Sequence, residues 1–300
     1  MIDNELFTRI LQKKKLLDAN RPFDSTSLTK LQESFNVELT YNSNAIEGNT
    51  LSLSETKLVL EDGLTIGGKS MKEHLEATNH QKAIEFIQSL VNKKTLEEID
   101  ILNLHALILD RIDSHNAGFY RKSNVRISGT TYVPPSPEKV PTLMKNFYSI
   151  LNTKGEPIEV ASKVHMEFVN IHPFIDGNGR SARLILNLIL IRAGYPPIII
   201  KKTEREKYIR DIIQAQLHQN LTPFVNLVAK EVENSLDLYL NNLTQTTEEY
   251  LTLTQAAKQS KYSQEYISLL ARKGKIGATK TGRNWKITKT ALKEYEKKHK

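Results

Sequence analysis

Within one twelve-residue stretch the sequence places His172, Phe174, Asp176, Gly177, Asn178, Gly179, Arg180 and Arg183. Two glycines around one asparagine permit positive φ angles, which turn successive backbone N–H groups inward as a nest for an anion. A helix beginning near Gly179 adds the positive end of its dipole. Arg180 and Arg183, three residues apart, project from the first turn of that helix, where both reach a polyphosphate. Asp176 is a hard oxygen ligand suited to a Mg²⁺ shared with the phosphates. His172 supplies a group that takes a proton near neutral pH, which binding alone would not require. Positioning, charge neutralisation and one base are what in-line attack on phosphorus needs. Taken singly, these residues also read as an ordinary turn, a structural histidine and a solvated helix face; it is their coincidence in one loop that points to chemistry.

The elements that must hold this loop are mainly helical. Capping boxes stand before apolar runs at Ser52 with Glu55, Ser70 with Glu73 and Thr95 with Glu98. Helical periodicity continues to about residue 112, resumes at 140, again over 159–171 and 179–193, where Gly194 and Pro196-Pro197 close it, and then over 205–240. The exception is 124–134, where the β-formers Val125, Ile127, Thr131, Tyr132 and Val133 flank Ser128-Gly129 and predict a short hairpin. A lone hairpin on a helical bundle is either a cover for the bundle end or a strand edge offered to a partner, and the local residues do not separate the two.

The stretch 172–183 resembles the signature of Fic-domain proteins, H-x-F-x-[D/E]-G-N-G-R-x-x-R, at every defined position. The resemblance implies a mainly α fold, a Fic helical bundle with a β-hairpin flap, and transfer of AMP from ATP to a Tyr, Ser or Thr hydroxyl of a target protein or of the chain itself. It implies His172 as the general base and Asp176 as the Mg²⁺ ligand. Gly177 and Gly179 resemble the anion-binding backbone, Asn178 the α-phosphate contact, Arg180 and Arg183 the remaining phosphate contacts, and Phe174 the anchor of the loop. The flap of the family lies where Val125, Arg126, Ile127, Thr131, Tyr132 and Val133 stand here and docks the target; Gly118-Phe119-Tyr120-Arg121 resembles its lead-in. The segment Ser43-Asn44-Ala45-Ile46-Glu47-Gly48 resembles the family's inhibitory motif, [S/T]-x-x-x-E-[G/N]. Pairing of Glu47 with Arg183 would withhold the arginine from the γ-phosphate; the plain alternative is a helix C-terminus with Gly48 as its C′ residue.

The net charge of +8 is uneven. Residues 251–300 hold eleven Lys and two Arg against three Glu, so this tail accounts for the whole excess. A helix from Thr254, a turn at 260–262, a helix capped by Ser263, two strands about Thr281-Gly282-Arg283 and a last helix from Lys289 give helix-turn-helix spacing. The arrangement resembles the winged helix-turn-helix of excisionase and MerR-type proteins. It implies DNA binding, with Lys273, Lys275, Lys280 and Arg283 as contacts; winged helices also dock proteins. Trp285 reads as a core anchor of that module.

The expected domains are 1–95, a helical region with the inhibitory motif; 96–240, the catalytic core; 241–250, a polar linker; and 251–300, the winged helix. A chain with 39% hydrophobic and 25% charged residues is neither disordered nor collagenous. Without cysteine it has no disulfide, thiolate zinc site or cysteine nucleophile. The most apolar stretch, 184–200, is broken by Asn187, Arg192 and Pro196-Pro197, and no leader pattern opens the sequence, so a cytoplasmic protein without a membrane partner is expected. ATP and Mg²⁺ are the expected substrate and cofactor. A homodimer is compatible with the resemblance, and self-modification of a tyrosine such as Tyr208 is conceivable. The rival reading is a DNA-binding regulator whose Fic core binds ATP as a sensor; His172 argues against it, because a sensor needs no base. Removal of AMP, with Glu47 orienting a water, is a minor addition.

Overall fold

The computed structural model describes residues 1–127, 129–243 and 250–299. In chain order the helices are α1 (Asn4–Ala19), α2 (Ser25–Ile46), α3 (Leu53–Glu61), α4 (Met71–Ser89), α5 (Glu98–Ile108), α6 (Val140–Leu151), α7 (Pro157–Ile171), α8 (Asn178–Arg192), α9 (Arg205–His218), α10 (Thr222–Leu243), α11 (Leu253–Lys258), α12 (Gln264–Arg272) and α13 (Lys289–Lys298). The strands are β1 (Tyr250–Thr252), β2 (Ala278–Thr281) and β3 (Asn284–Thr288). Residues 33–228 form one compact unit; residues 1–32 and 229–300 form another.

In the unit 33–228, α7 and α8 pack against each other at the centre. Ala161, Val164, Phe168, Leu184, Leu188 and Leu190 are fully buried there. α8 is buried along nearly its whole length from Asn178 to Leu190, so its N-terminus is held firmly at the end of the bundle. Two capping boxes form as the sequence predicts, Ser52 with Glu55 and Ser70 with Glu73. The third sits two residues further on: Glu97 precedes α5 and its N–H donates to Asp100, at 2.8 Å, in place of Thr95 with Glu98.

The expected hairpin is absent as a ladder. Among the described residues of 125–133 no strand pairing forms, and the chain turns at Gly129 with φ 82°; Ser128 lies outside the described residues. The Tyr132 N–H donates to Thr130 Oγ1 at 3.1 Å, a local side-chain bond that competes with cross-strand pairing. Two short strands without a third are marginal in any case.

In the second unit β1, β3 and β2 form an antiparallel sheet in that order, with Leu251 opposite Ile287 and Ala278 opposite the same residue. Leu251, Ala256, Ile267, Leu270, Ile287 and Leu292 form its core with Trp285 packed against it. Ser263 caps α12 through the Tyr266 N–H, at 3.2 Å. β1 is the element the sequence does not announce. The predicted linker is shorter than 241–250, because α10 runs to Leu243 and β1 starts at Tyr250; residues 244–249 lie outside the described residues.

Candidate active site

α7 ends at Ile171, and His172 caps it in the left-handed conformation with φ 50°. Few residues other than glycine sit there, so the surroundings must hold it. Its N–H donates to the Phe168 carbonyl at 2.9 Å. Phe174 is fully buried and stacks on the His105 ring with centroids 3.6 Å apart and planes 2° from parallel. His105 Nε2 donates to the Asp176 carbonyl at 3.0 Å, and its Nδ1 accepts from the Gly118 N–H at 3.0 Å. That arrangement requires a neutral ring, and burial lowers His105 to about 4. His105 is a loop-holding residue that the sequence reading passes over.

Gly177 caps α8 with φ 77°, and a Cβ there would press on Ile108 and His105. The first intrahelical bond of α8 runs from the Ser181 N–H to the Gly177 carbonyl at 2.9 Å. The N–H groups of residues 178–180 therefore have no helical partner, an arrangement that suits an anion. Asp176 Oδ1 accepts from the Gly177 N–H at 2.6 Å and from Arg180 Nη2 at 3.3 Å, and its carboxylate is half exposed.

Two expected phosphate contacts are engaged elsewhere. Asn178 Oδ1 accepts from the Phe174 N–H at 3.0 Å, and its Nδ2 donates to the Phe174 carbonyl at 2.9 Å. Its side chain therefore closes the loop on itself, leaving the backbone N–H for an anion. Arg180 is buried with its guanidinium 3.3 Å from both Glu76 and Asp176, and its Nε and Nη1 make no hydrogen bond.

Arg183 is where the inhibitory motif converges. Its Nε donates to Ser43 Oγ at 3.0 Å and its Nη2 to the Ser43 carbonyl at 2.8 Å. Nη2 also stands 2.8 Å from Glu47 Oε1, while Nη1 is buried with no hydrogen-bond partner. Glu47 Oε1 occupies the space that a Cβ on Gly179 would fill, so the carboxylate sits on the anion site itself. Only glycine at 179 permits this approach. Gly48 follows with φ 103° and α2 ends at Ile46, so the motif is a helix C-terminus whose glutamate reaches Arg183. Asn44 and Asn49 tie the motif to α4 through the carbonyls of Glu76 and Glu73, and Arg205 Nε donates to the Ile46 carbonyl at 2.7 Å.

His172, Gly179, Arg183 and Glu47 line one cleft of about 540 Å³, partly open to solvent, together with Ile127, Thr130, Val169, Tyr208, Ile209, Ile212, Ile213 and Gln216. The Gln216 amide is buried with neither end hydrogen-bonded. Tyr208 is 2% exposed and its hydroxyl meets His165 Nε2 at 2.8 Å, which removes it as an acceptor of AMP. Of the flap residues, Ile127 reaches the cleft; Val125 is half-buried, Arg126, Thr131 and Val133 are exposed, and the Tyr132 hydroxyl donates to the Asn170 carbonyl at 3.2 Å.

His172 is lowered to about 4. Burial is the main cause; the Val169 carbonyl opposes it, Arg121 adds to it, and Glu47 and Asp176 pull weakly back. The neutral ring, the form that accepts a proton, is thus the one present at neutral pH. A reaction that uses this ring as its base should accordingly be flat across the neutral range on its account. A pH profile of kcat/KM should fall only as pH drops through about 4; an acid limb near the ordinary histidine value would contradict it.

The C-terminal unit holds Lys273, Lys275 and Arg283 exposed. Lys280 is half-buried, with its ammonium 5.7 Å from the Trp285 ring centre and its carbonyl accepting from Asn241 Nδ2 at 3.3 Å. Arg9 and Lys13 of α1 face the same ring. Lys280 is therefore a packing residue more than a free contact, and Trp285 is an anchor.

The structure thus joins a helical bundle, a loop-to-helix turn with free N–H groups, a buried arginine and a neutral histidine in one cleft. Residues 95–190 match the Fic/DOC family and residues 250–300 a helix-turn-helix domain. A solved Fic domain containing signaling protein from Bacteroides thetaiotaomicron is 31% identical, covers 77% of this chain and 96% of its own, and superposes with a TM-score of 0.72. Fic-1 (aa134–508) from C. elegans is 36% identical over 79% of this chain and 72% of its own, with a TM-score of 0.71. The protein adenylyltransferase Fic of Aedes aegypti is 38% identical over 245 residues, 80% of this chain and 48% of its own. The chain belongs to the Fic family. It spans about half the length of the curated relatives it matches. Among the described residues no helix is long and apolar enough to cross a membrane.

Proposed function

We propose that the protein is an adenylyltransferase that moves AMP from ATP to a hydroxyl of a protein and is held back by Glu47. The observation that carries this is the convergence of His172, Gly179, Arg183 and Glu47 on one cleft. The isoleucines 209, 212 and 213 offer apolar walls to a base, and the Gln216 amide offers it a donor and an acceptor. The free N–H groups of α8 and Arg183 face the phosphates once Glu47 has left them. With one ring nitrogen of His172 protonated toward the Val169 carbonyl, the other is left to take the acceptor proton. The acceptor oxygen bonds to the α-phosphorus, the bond from that phosphorus to the β-phosphate bridge breaks, diphosphate leaves and the proton passes to His172.

Asp176 fits Mg²⁺: its carboxylate is half exposed beside the phosphate site, and this ion takes one or two carboxylates with substrate phosphates and water. When bound, the ion neutralises charge on the phosphates. The flap residues around 125–133 are proposed to dock the target segment, and the two domains expected beside the linker are read as catalytic and localising parts. Incubation with Mg²⁺ and α-labelled ATP should label protein, and γ-labelled ATP should not; label from the γ position alone would replace AMP transfer with phosphoryl transfer.

A second reading concerns the C-terminal unit alone. Its helix-turn-helix match and exposed Lys273, Lys275 and Arg283 favour binding to duplex DNA. Affinity should then fall steeply with added salt as counterions compete. A salt-independent or undetectable interaction in a titration against duplex DNA would favour protein docking.

A further inference from the structure

Arg121 is 3% exposed, and a guanidinium is rarely buried without a carboxylate beside it. Glu138 is near enough to act on its charge, but its hydrogen bonds go to main-chain carbonyls. Nε donates to the His172 carbonyl at 2.8 Å, Nη1 to the Ser123 carbonyl at 3.0 Å, and Nη2 to the carbonyls of Pro135, at 2.5 Å, and Ile171, at 3.5 Å. Its own N–H donates to the Pro173 carbonyl at 2.9 Å. One planar group thus grips both sides of the left-handed turn at the base and both ends of the segment 123–135. The fork of an arginine fits several acceptors at once, which a lysine point charge does not.

We propose that Arg121 is the positioning residue of the reaction, fixing the His172 peptide and the two feet of the target-docking segment on one guanidinium so that base and acceptor are placed together. This rests on the reading of His172 as the base. His172 occupies a left-handed conformation uncommon outside glycine, and a base displaced by an ångström loses much of its effect. The hydrogen bond from Nε to the His172 carbonyl holds that conformation from the side away from the cleft. Arg121 does not itself line the cleft, and Gly179 and Arg183 on the phosphate side are not among its partners; it reaches the cleft only through His172, Ile127 and Thr130, so ATP binding should change far less than turnover.

The test uses the full chain in the Glu47→Gly background, with Arg121→Lys as the main variant. At saturating ATP, incorporation of α-labelled AMP into lysate protein should fall by about 10²-fold, while the KM for ATP changes far less. Amide hydrogen exchange should rise both at 171–174 and at 123–135, with α8 still protected. Tyr132→Phe removes the bond from the same segment to the Asn170 carbonyl without disturbing the core. It should give the same split in smaller measure, and it serves if Arg121→Lys does not fold. Unchanged turnover in the folded variants, turnover and ATP affinity falling together, or faster exchange at only one of the two segments would each overturn the proposal. An inactive Glu47→Gly parent would instead overturn the reading on which it rests.

Discussion

Glu47→Gly raises AMP transfer by one to two orders of magnitude over the unmodified chain. The expectation follows from where the carboxylate lies. It holds Arg183 Nη2 at 2.8 Å and fills the space over Gly179, so the phosphates and Glu47 compete for one site. A state that is about 99% closed needs only about 2.7 kcal/mol. Charge-assisted pairs with a buried arginine reach such values. The Glu47 side chain is 39% exposed, and solvent screening places the gain toward the lower end of the range. Removing Glu47 leaves Arg183 with its two bonds to Ser43, so the arginine keeps its place and gains a free face. Transfer of labelled AMP at fixed ATP measures the change. Turnover equal to that of the unmodified chain would show that the contact is structural.

His172→Ala in the Glu47→Gly background removes AMP transfer by about 10²- to 10⁴-fold, the usual worth of a positioned general base. The residue lies in the cleft with a ring lowered to about 4, ready to accept a proton at neutral pH. ATP affinity should survive, because the phosphate site is built by α8 and Arg183. His172→Asn is the companion variant, since asparagine tolerates the left-handed backbone that the position requires. Transfer retained in both variants, with ATP affinity intact, would make His172 a structural cap.

The geometry of the loop 172–183 is legible in the sequence because its turn and helix start are set by local residues. Gly177 and Gly179 stand where backbone conformation and close approach demand glycine, and Glu47 faces Arg183 as the two motifs together imply. The winged helix was legible for the same reason, its caps and turns being read residue by residue. What stayed hidden depends on contacts distant in sequence. Asn178 turns its amide back on Phe174, and Arg180 reaches Glu76 on α4; nothing in the loop announces either. The apolar wall of the cleft comes from α9, whose apolar spacing reads as any helix face. Arg121 and His105 hold the loop from other elements through main-chain groups, and main-chain partners leave no mark in the identity of the residue they bind. The hairpin is missing for a related reason: β-propensity reports side-chain fit to a sheet, and among the described residues no further strand lies beside 125–133 to provide one.

The most direct measurement is transfer of α-labelled AMP in a cell lysate with Mg²⁺, comparing the unmodified chain, Glu47→Gly, and Glu47→Gly with His172→Ala. Label on protein that is strong in Glu47→Gly, weak in the unmodified chain and absent from the double variant is the predicted result. Equal label in all three, or none in any, would contradict an AMP transferase that uses His172 as base and Glu47 as brake.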